Sequence, residues 1–252
     1  TVSPEDLERM EPELAPQSFG LHLPQIAQIR NPRLLRALHR HLDQRGVQIY
    51  EHAQVLDFIH QERRICGIKT VRRRQHAAFT VISAGAWSAQ LSALINVSLP
   101  VYPVRGQMLL FNCPRAALKH ICLQRGRYLI PRRDGQILAG STMEYVSFSK
   151  TCTEQAYLEL KDFAMALLPV LARHGNICAQ WSGLRPGTAQ GVPIISECKE
   201  RPGLWFNTGQ FRNGIVLAPA SAELCANLML GEAPIVPPSC YQLAEAESLK
   251  AL

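Results

Sequence analysis

The stretch LWFNTGQFRNGIVLAP, residues Leu204–Pro219, has the pattern that decides the fold. Its apolar beginning predicts a short buried strand, which ends at Phe206 or shortly after it. The chain then breaks at Gly209, crosses a polar loop that carries Arg212, and enters a helix near Ala218. The first N–H groups of such a helix have no backbone partner, so they favour negative charge. The stretch therefore predicts an anion site.

The composition predicts a soluble globular protein with one large domain or two smaller ones. The chain has 252 residues, of which 47% are hydrophobic and 19% charged. No apolar run approaches the ~18 residues of a membrane span. The net charge of +7 permits attraction to anions. No aromatic residue is interleaved with the basic triplet Arg72–Arg74, which argues against a nucleic-acid platform.

Cysteine and histidine spacing gives no metal site. The eight cysteines contain no CxxC and the eight histidines no HExxH, so neither zinc nor a redox dithiol is indicated. Several cysteines lie in apolar runs, which favours a reducing compartment such as the cytoplasm. The chain begins with Thr1 and shows no signal segment. We expect either a processed start or a piece of a longer protein.

Helix and strand signals follow one another in a mixed order. Asn31, Pro32 and a leucine stripe predict a helix that ends at Gly46. The strand-like pieces VQIYEHAQVLDFI, RRICGIKTV and HAAFTVISAGAWS follow. From about Pro100 onward, VYPVRGQMLLF predicts a strand and RYLIPRRDGQILAGST a hairpin turning at Asp134–Gly135.

The remaining elements complete a layered α/β arrangement. A helix is predicted from about Thr153, the strand ICAQWSGLRPG follows it, and a last helix runs from about Ala218 to Leu230 before Gly231. The pattern predicts a helix-and-strand domain that the chain enters twice, with a mostly antiparallel domain inserted between residues ~99 and ~180.

Three side chains at strand ends are candidates for ligand binding, each with a structural alternative. Arg185, fixed by Pro186 after an apolar strand, suits a bidentate carboxylate or a structural ion pair. Arg212 has the same two interpretations. Tyr128 is either a core residue with a satisfied hydroxyl or a pocket residue. The Ala84–Gly85 step is either a tight turn or a close approach of a ligand to the backbone.

The chain offers no obvious catalytic acid, base or nucleophile. It has no Ser-His-Asp order and no paired carboxylates at catalytic spacing, so a bound cofactor is expected to carry any chemistry. None of the 16 glycines begins a GxGxxG. That absence argues against a complete nucleotide-binding domain in this sequence.

Six segments together resemble the D-amino-acid-oxidase-like family of flavin enzymes, most closely its glycine oxidase branch. They are NPRLLRAL, VISAGAWS, VYPVRGQML, YLIPRRDGQILAGST, WSGLRPGT and TGQFRNGIVLAP, in family order across about residues 30–232. The resemblance implies an α/β (α+β) fold, with FAD-binding parts at residues 1–98 and 181–252 and a substrate-binding domain at 99–180. The family's N-terminal βαβ unit with its glycine-rich loop has no counterpart, which implies an N-terminally truncated member.

The resemblance also implies a reaction and a set of site residues. FAD would oxidise glycine or another small amine or amino acid to an oxo acid, ammonia and hydrogen peroxide, with a role in thiamine biosynthesis. It implies no catalytic side chain. Arg185 would pair with the substrate carboxylate, Arg212 would make a second substrate contact, and Tyr128 would line the pocket. The implied cofactor contacts are Val55, Ala84, Gly85, Gln210, Phe211, Arg212, Asn213, Gly214, Ile215 and Val216.

Three departures from the family pattern leave alternatives open. Gln210 stands where relatives commonly have histidine, Gln190 stands where an acid is common, and EYVSFSK lacks a glycine usual in that stretch. The alternatives are a D-amino-acid dehydrogenase, a sarcosine-oxidase-like flavoenzyme, or a truncated remnant that does not hold FAD. The expected partners are the small amine or amino acid and molecular oxygen, with homo-oligomers also compatible with the resemblance.

Overall fold

The computed structural model describes residues 1–113 and 117–243, which form two compact units. Unit 1 comprises Thr1–Arg30 and Arg105–Leu184, and unit 2 comprises Asn31–Val104 and Arg185–Leu252. In chain order the elements are α1 (Pro4–Met10), α2 (Asn31–Gln44), β1 (Val55–Gln61), β2 (Arg64–Thr70), β3 (Arg74–His76), β4 (Thr80–Ile82), α3 (Ser88–Ala93), β5 (Tyr102–Asn112), β6 (Cys122–Gln124), β7 (Arg127–Pro131), β8 (Gln136–Gly140), α4 (Glu154–Leu167), α5 (Val170–His174), β9 (Asn176–Gly187), β10 (Ile194–Glu197), β11 (Leu204–Thr208) and α6 (Gly214–Leu230). Short 3₁₀ turns span Gly85–Trp87, Phe211–Asn213 and Pro238–Tyr241.

Unit 1 is built on a five-stranded sheet with the strand order β6-β7-β8-β5-β9. The pairs β6/β7, β7/β8 and β5/β8 are antiparallel. The predicted hairpin is confirmed, with Gly135 in the left-handed region at φ +82°. Helix α4 is capped by Thr153, whose hydroxyl accepts from the Ala156 N–H. Strand and helix side chains close a core that contains Leu109, Phe111 and Leu160, all fully buried.

A buried polar network crosses unit 1. The Arg105 side chain, only 6% exposed, pairs with Glu144 and donates to the Thr151 carbonyl at 2.8 Å. Gln107, fully buried, donates to Glu144 at 2.9 Å and accepts from the Thr153 N–H at 2.9 Å. Partial burial alone would raise the pKa of Glu144, but its bonds from Arg105, Thr142 and Gln107 outweigh burial and lower that pKa. The network therefore stabilises an ionised Glu144.

Unit 2 contains two three-stranded sheets. One has the order β1-β2-β3 and is antiparallel, and the other has the order β10-β11-β4. In the second sheet β10/β11 is antiparallel and β11/β4 is parallel. One core joins both sheets and includes Phe58, Ile65, Ile82 and Phe206. Several cysteines serve as small apolar residues, and burial raises the pKa of the Cys198 thiol to about 11.

Three sequence-based predictions in unit 2 differ from the structure. Residues 47–50 of the predicted strand VQIYEHAQVLDFI are in no strand, and β1 begins only at Val55. Helix α2 forms as predicted, but no residue of its leucine stripe is buried. Helix α6 begins at Gly214, not near Ala218, and contains Pro219 in its second turn. The first two differences share a physical cause: a strand forms, and a helix face is buried, only where distant parts of the chain pair with it or cover it.

Helix α6 ends where it was predicted, at a left-handed Gly231 with φ +71°. Leu224 and Cys225 are buried against Ile195 of β10. The 20-residue stretch Phe211–Leu230 is by length and composition apolar enough to cross a membrane, which the sequence analysis did not anticipate. Within unit 2 this helix packs against β10 and β11.

Candidate cofactor and substrate site

The centre of the candidate site is the end of a parallel strand pair in unit 2. Strands β4 and β11 pair in register, with Thr80 opposite Leu204 and Ile82 opposite Phe206. Parallel strands end at the same edge of a sheet, so the loops after β4 and β11 begin side by side. One loop carries Ala84 and Gly85, and the other runs from Gly209 to α6. Two predicted cofactor segments, far apart in sequence, are thus brought together.

A buried pair of hydroxyl groups ties the two loops to each other. Ser88 and Thr208 are both fully buried. The Ser88 hydroxyl donates to the Thr208 hydroxyl at 2.9 Å, and the Thr208 hydroxyl donates to the Gly85 carbonyl at 3.3 Å. Because both hydroxyls are satisfied, the turn after β4 is held against the end of β11. Neither residue was predicted from the sequence. The only signal was hydroxyl residues near the two turns, where Ser83 and Ser88 follow β4 and Thr208 ends β11.

Glycine is required at the break that follows β11. Gly209 has φ +85°, and a Cβ at this position would lie 2.7 Å from Cγ2 of Thr188. The Thr188 hydroxyl donates to the Val192 carbonyl at 2.9 Å, which fixes the loop that crowds Gly209. At the turn after β4, Gly85 also has a positive φ of +55°, but a Cβ there would meet nothing within 4 Å. The backbone beside Gly85 is therefore open to a ligand.

The loop from Gln210 to Asn213 presents its side chains in different directions. Gln210 donates to the Asn207 side chain at 2.6 Å, so its amide is held against β11. Phe211 has φ +47°, a left-handed conformation that is strained for an aromatic residue. Strain of this kind concentrates at functional sites. Within the described residues the exposed Arg212 side chain makes no ion pair or hydrogen bond.

The start of α6 is suited to negative charge. Asn213 precedes the helix without a side-chain capping bond, and no acidic residue lies in the first turn. The first N–H groups of this 17-residue helix are thus available, and the helix dipole adds partial positive charge at the same place. Gly214 is half-buried, whereas Ile215 and Val216 are exposed. These N–H groups are the candidate backbone donors for the anion site that the sequence predicts.

Arg185 lies near the end of β9 and is half-buried. It is followed by Pro186 and by Gly187, at which a Cβ would lie 2.6 Å from the ring of Tyr102. The Tyr102 hydroxyl donates to the Thr188 carbonyl at 3.3 Å. Tyr102 and Gly187 therefore fix the backbone immediately after Arg185.

The other two predicted residues lie elsewhere. Tyr128 belongs to unit 1, where it stands opposite Gly140 and its hydroxyl donates to the sulfur of Met108 at 3.4 Å. The hydroxyl donates its one hydrogen to the sulfur, and its oxygen can still accept from another donor. Val55 is half-buried at the start of β1, opposite Thr70, in the other sheet of unit 2.

Paired strand-to-helix loops with an uncapped helix start are typical of α/β proteins that bind nucleotide cofactors at the carboxyl ends of their strands. Comparison with known proteins gives the family. The DAO model, described as FAD dependent oxidoreductase, matches residues 1–228. The chain belongs to this family, and the predicted recognition and α/β fold are confirmed, as is FAD as the family's cofactor.

The relatives found include several glycine oxidases. The chain is 43% identical to "Glycine oxidase" of Pseudomonas putida over 223 residues, 88% of this chain and 61% of the relative. It is 33% identical to "Bifunctional protein ThiO/ThiG" of Nostoc sp. over 84% of this chain and 32% of the relative. The crystal structure of glycine oxidase from Geobacillus kaustophilus superposes with a TM-score of 0.88 at 29% identity, covering 97% of this chain and 66% of that one. The chain thus spans about three fifths of the Pseudomonas relative.

Proposed function

We propose that this chain supplies the flavin-facing and substrate-facing residues of an FAD-dependent oxidase of glycine or another small amine or amino acid. The observation that carries the proposal is the pair of loops after β4 and β11, with the uncapped start of α6 and the exposed Arg212 beside them. The glycine oxidase relatives support the same substrate class.

The described residues fit the flavin end of the cofactor. Ala84, Gly85 and the segment from Gln210 to Val216 would lie against it, and Val55 would lie near its adenine end. When bound, FAD supplies the acceptor for the hydride of the substrate C–H bond, and molecular oxygen takes up the electrons as hydrogen peroxide. The dipole of α6 would stabilise the negative charge that this transfer creates. The phosphate-binding GxGxxG is absent from the sequence.

The substrate residues act by orientation. Arg185 would hold the substrate carboxylate through its guanidinium fork, Arg212 would make a second contact, and Tyr128 would line the pocket. Fixing a small amino acid in one pose lowers the barrier without an acid or base from the chain. The imino product hydrolyses to an oxo acid and ammonia.

Further proposals concern organisation and cellular role. Residues 1–98 and 181–252 would form the FAD-binding part and residues 99–180 the substrate-binding part. The name of the Nostoc relative supports a role in thiamine biosynthesis. We place the protein in the cytoplasm, with the amine and oxygen as its small-molecule partners.

The test measures cofactor and substrate separately. The chain is purified alone and as a fusion to the N-terminal portion of the Pseudomonas putida glycine oxidase that lies outside their match. Flavin absorbance near ~450 nm reports FAD, and peroxide formed on glycine or sarcosine reports turnover. We expect the fusion to hold FAD and to oxidise glycine.

Arginine variants of the fusion test the assignment of the substrate residues. Arg185→Lys should raise the KM for glycine by about 10-fold or more, because the bidentate contact is lost, with little change in FAD content. The exposed Arg72, in a turn of unit 2, provides the matched control: Arg72→Lys should leave KM unchanged. A folded fusion that takes up no FAD, or that forms no peroxide on any small amine, contradicts the proposal.

A further inference from the structure

The side chains of Asn207 and Gln210 form a short hydrogen-bonded chain at the end of β11. The Gln210 Nε2 donates to the Asn207 Oδ1 at 2.6 Å, and the Asn207 Nδ2 donates to the Ser221 carbonyl of α6 at 3.2 Å. Asn207 and Gln210 are half-buried, and Ser221 is only 5% exposed. We call these two bonds the amide bridge. It joins β11, the loop that follows β11, and α6, which all contribute to the candidate site.

The amide bridge has one direction. A backbone carbonyl accepts and cannot donate, so Asn207 turns its Nδ2 towards Ser221 and its Oδ1 towards Gln210. Gln210 then has to offer a donor to that oxygen. A glutamine supplies this donor without carrying a charge, so the bridge itself does not titrate. An ionised carboxylate at position 210 would have no hydrogen to offer.

The start of α6 is weakly held by its own hydrogen bonds. The helix follows Asn213, which makes no side-chain capping bond. Pro219, inside the helix, has no N–H, so the Ile215 carbonyl receives no bond from the residue four positions further on. An attachment from outside the helix therefore matters more here than in an ordinary helix. The bond from Asn207 to the Ser221 carbonyl ties the second turn to β11.

The loop between β11 and α6 contains a strained residue that its neighbours have to hold. Phe211 has φ +47°, and a conformation of this kind persists only where surrounding contacts impose it. Gln210, directly before it, is fixed by the amide bridge, and the Gln210 carbonyl accepts from the Asn213 N–H at 3.0 Å. The bridge thus holds the backbone from which the Arg212 side chain extends.

We infer that Asn207 is a positioning residue of the proposed oxidase, which acts through Gln210 on the loop that carries Arg212. The inference rests on the proposed function, in which Arg212 makes a contact with the substrate. The role of Asn207 requires no contact of its own with substrate or cofactor. Its amide holds the loop and the start of α6 in one arrangement before a ligand binds, which lowers the ordering cost of binding and of reaction.

The first test removes the amide bridge and observes the loop in the chain itself. Asn207→Leu keeps a side chain of similar size that neither donates nor accepts. It should lower the protection of the Asn213 N–H against hydrogen exchange, followed by NMR, by about 10-fold or more. Asn207→Asp still accepts from Gln210 but cannot donate to Ser221 when ionised, so its loss should be smaller. Asn176→Leu, at an exposed asparagine of unit 1, is the matched control and should leave this protection unchanged.

Activity gives the second measurement, with the fusion described under the proposed function. Asn207→Leu should lower its kcat/KM for glycine by about 10-fold, because the loop that carries Arg212 is no longer fixed before the substrate binds. Its FAD content, read from the flavin absorbance, should stay close to that of wild type. Loss of protection at Asn213 with an unchanged kcat/KM would make the amide bridge a purely structural contact and would overturn the positioning role.

The direction of the bridge gives a third measurement, a dependence on pH. In Gln210→Glu a protonated carboxyl can still donate to Asn207, whereas an ionised carboxylate cannot. The ratio of variant to wild-type kcat/KM should therefore fall about 10-fold between about pH 4.5 and pH 8, as the new carboxyl ionises. Gln210→Met has no donor at any pH, so its ratio should be low and constant. Gln75→Glu, at an exposed glutamine of β3, controls for the added carboxylate and should behave as wild type.

The outcomes separate this inference from the proposed function. The positioning role is overturned if Asn207→Leu is folded by circular dichroism and leaves the Asn213 N–H as protected as in wild type. It is also overturned if Gln210→Glu and Gln210→Met give the same ratio at every pH. If Asn207→Leu does not fold, Asn207→Asp and the two variants of Gln210 decide. A fusion that takes up no FAD contradicts the proposed function, while hydrogen exchange in the chain alone still tests the amide bridge.

Discussion

Unit 1 and unit 2 differ in how they satisfy their polar groups and cover their apolar ones. In unit 1 the sheet and α4 enclose a single core, and the buried Arg105 and Gln107 find partners within the unit. In unit 2 the shared core of the two sheets is equally well buried, but α2 contributes nothing to it. The comparison teaches that a local pattern alone does not indicate burial, because the α2 and α4 stripes are both amphipathic and only α4 is covered.

The largest expected effect tests this difference directly. Phe111→Ala removes a fully buried side chain from the unit 1 core and should lower the free energy of unfolding by about 3–5 kcal/mol. Leu35→Ala truncates a 63% exposed side chain of α2 and should change it by less than about 0.5 kcal/mol. Urea unfolding followed by circular dichroism measures both. Equal losses would show that α2 is buried in the folded protein, and the contrast between the units would disappear.

The next effect concerns the polar network of unit 1. Glu144→Gln should lower the free energy of unfolding by about 2–4 kcal/mol, because the buried Arg105 would lose the carboxylate that it pairs with. Glu159→Gln breaks the ion pair between Arg127 and Glu159, whose side chains are 32% and 42% exposed. It should therefore lower the free energy of unfolding by less than about 1 kcal/mol.

The same carboxylate gives a dependence on pH. The pKa of Glu144 is lower in the folded protein than its ordinary value of 4.5. The stability that it contributes is therefore fully present above that value and is lost as the pH falls through the lowered pKa. Because Glu144→Gln has no carboxylate at this position, its free energy of unfolding should fall less steeply than that of wild type as the pH drops below 4.5. A variant that keeps the full wild-type slope below pH 4.5 would contradict the role of Glu144.

The smallest effect compares two glycines of unit 2. Gly209 and Gly46 have similar left-handed φ values of +85° and +73°, but only at Gly209 would a Cβ meet a close neighbour. Gly46→Ala should lower the free energy of unfolding by about 1–2 kcal/mol through backbone strain alone. Gly209→Ala should lower it by about 1 kcal/mol more, because the Thr188 side chain must move to make room for the added Cβ. Thermal unfolding of the two variants measures the difference. Equal costs would mean that the loop around Thr188 yields freely.

Local signals allowed much of the fold to be predicted. Glycine ends α2 and α6 and turns the hairpin at Gly135, because each of these positions needs a left-handed backbone. The first helix, α1, escaped prediction although Ser3 and Pro4 signal its start, and the Ser3 hydroxyl accepts from the Asp6 N–H at 3.2 Å.

The sequence indicates part of the candidate site, because glycines and arginines stand out through backbone and charge requirements that are local. The Ser88–Thr208 pair does not stand out, since a hydroxyl residue has many ordinary roles and its partner is 120 residues away. The unpaired residues 47–50 show the converse, because an alternating apolar pattern becomes a strand only beside another strand.

The Ser88–Thr208 bond also has a consequence for how the molecule assembles. To form it, the chain must close a loop of 120 residues that contains the larger part of unit 1. Loop closure has an entropic cost that grows slowly with length and must be met before such a bond contributes. Neither strand-to-helix turn can hold the other in the unfolded chain. The two halves of the candidate site thus have no local precursor, and they come into being only with the tertiary structure.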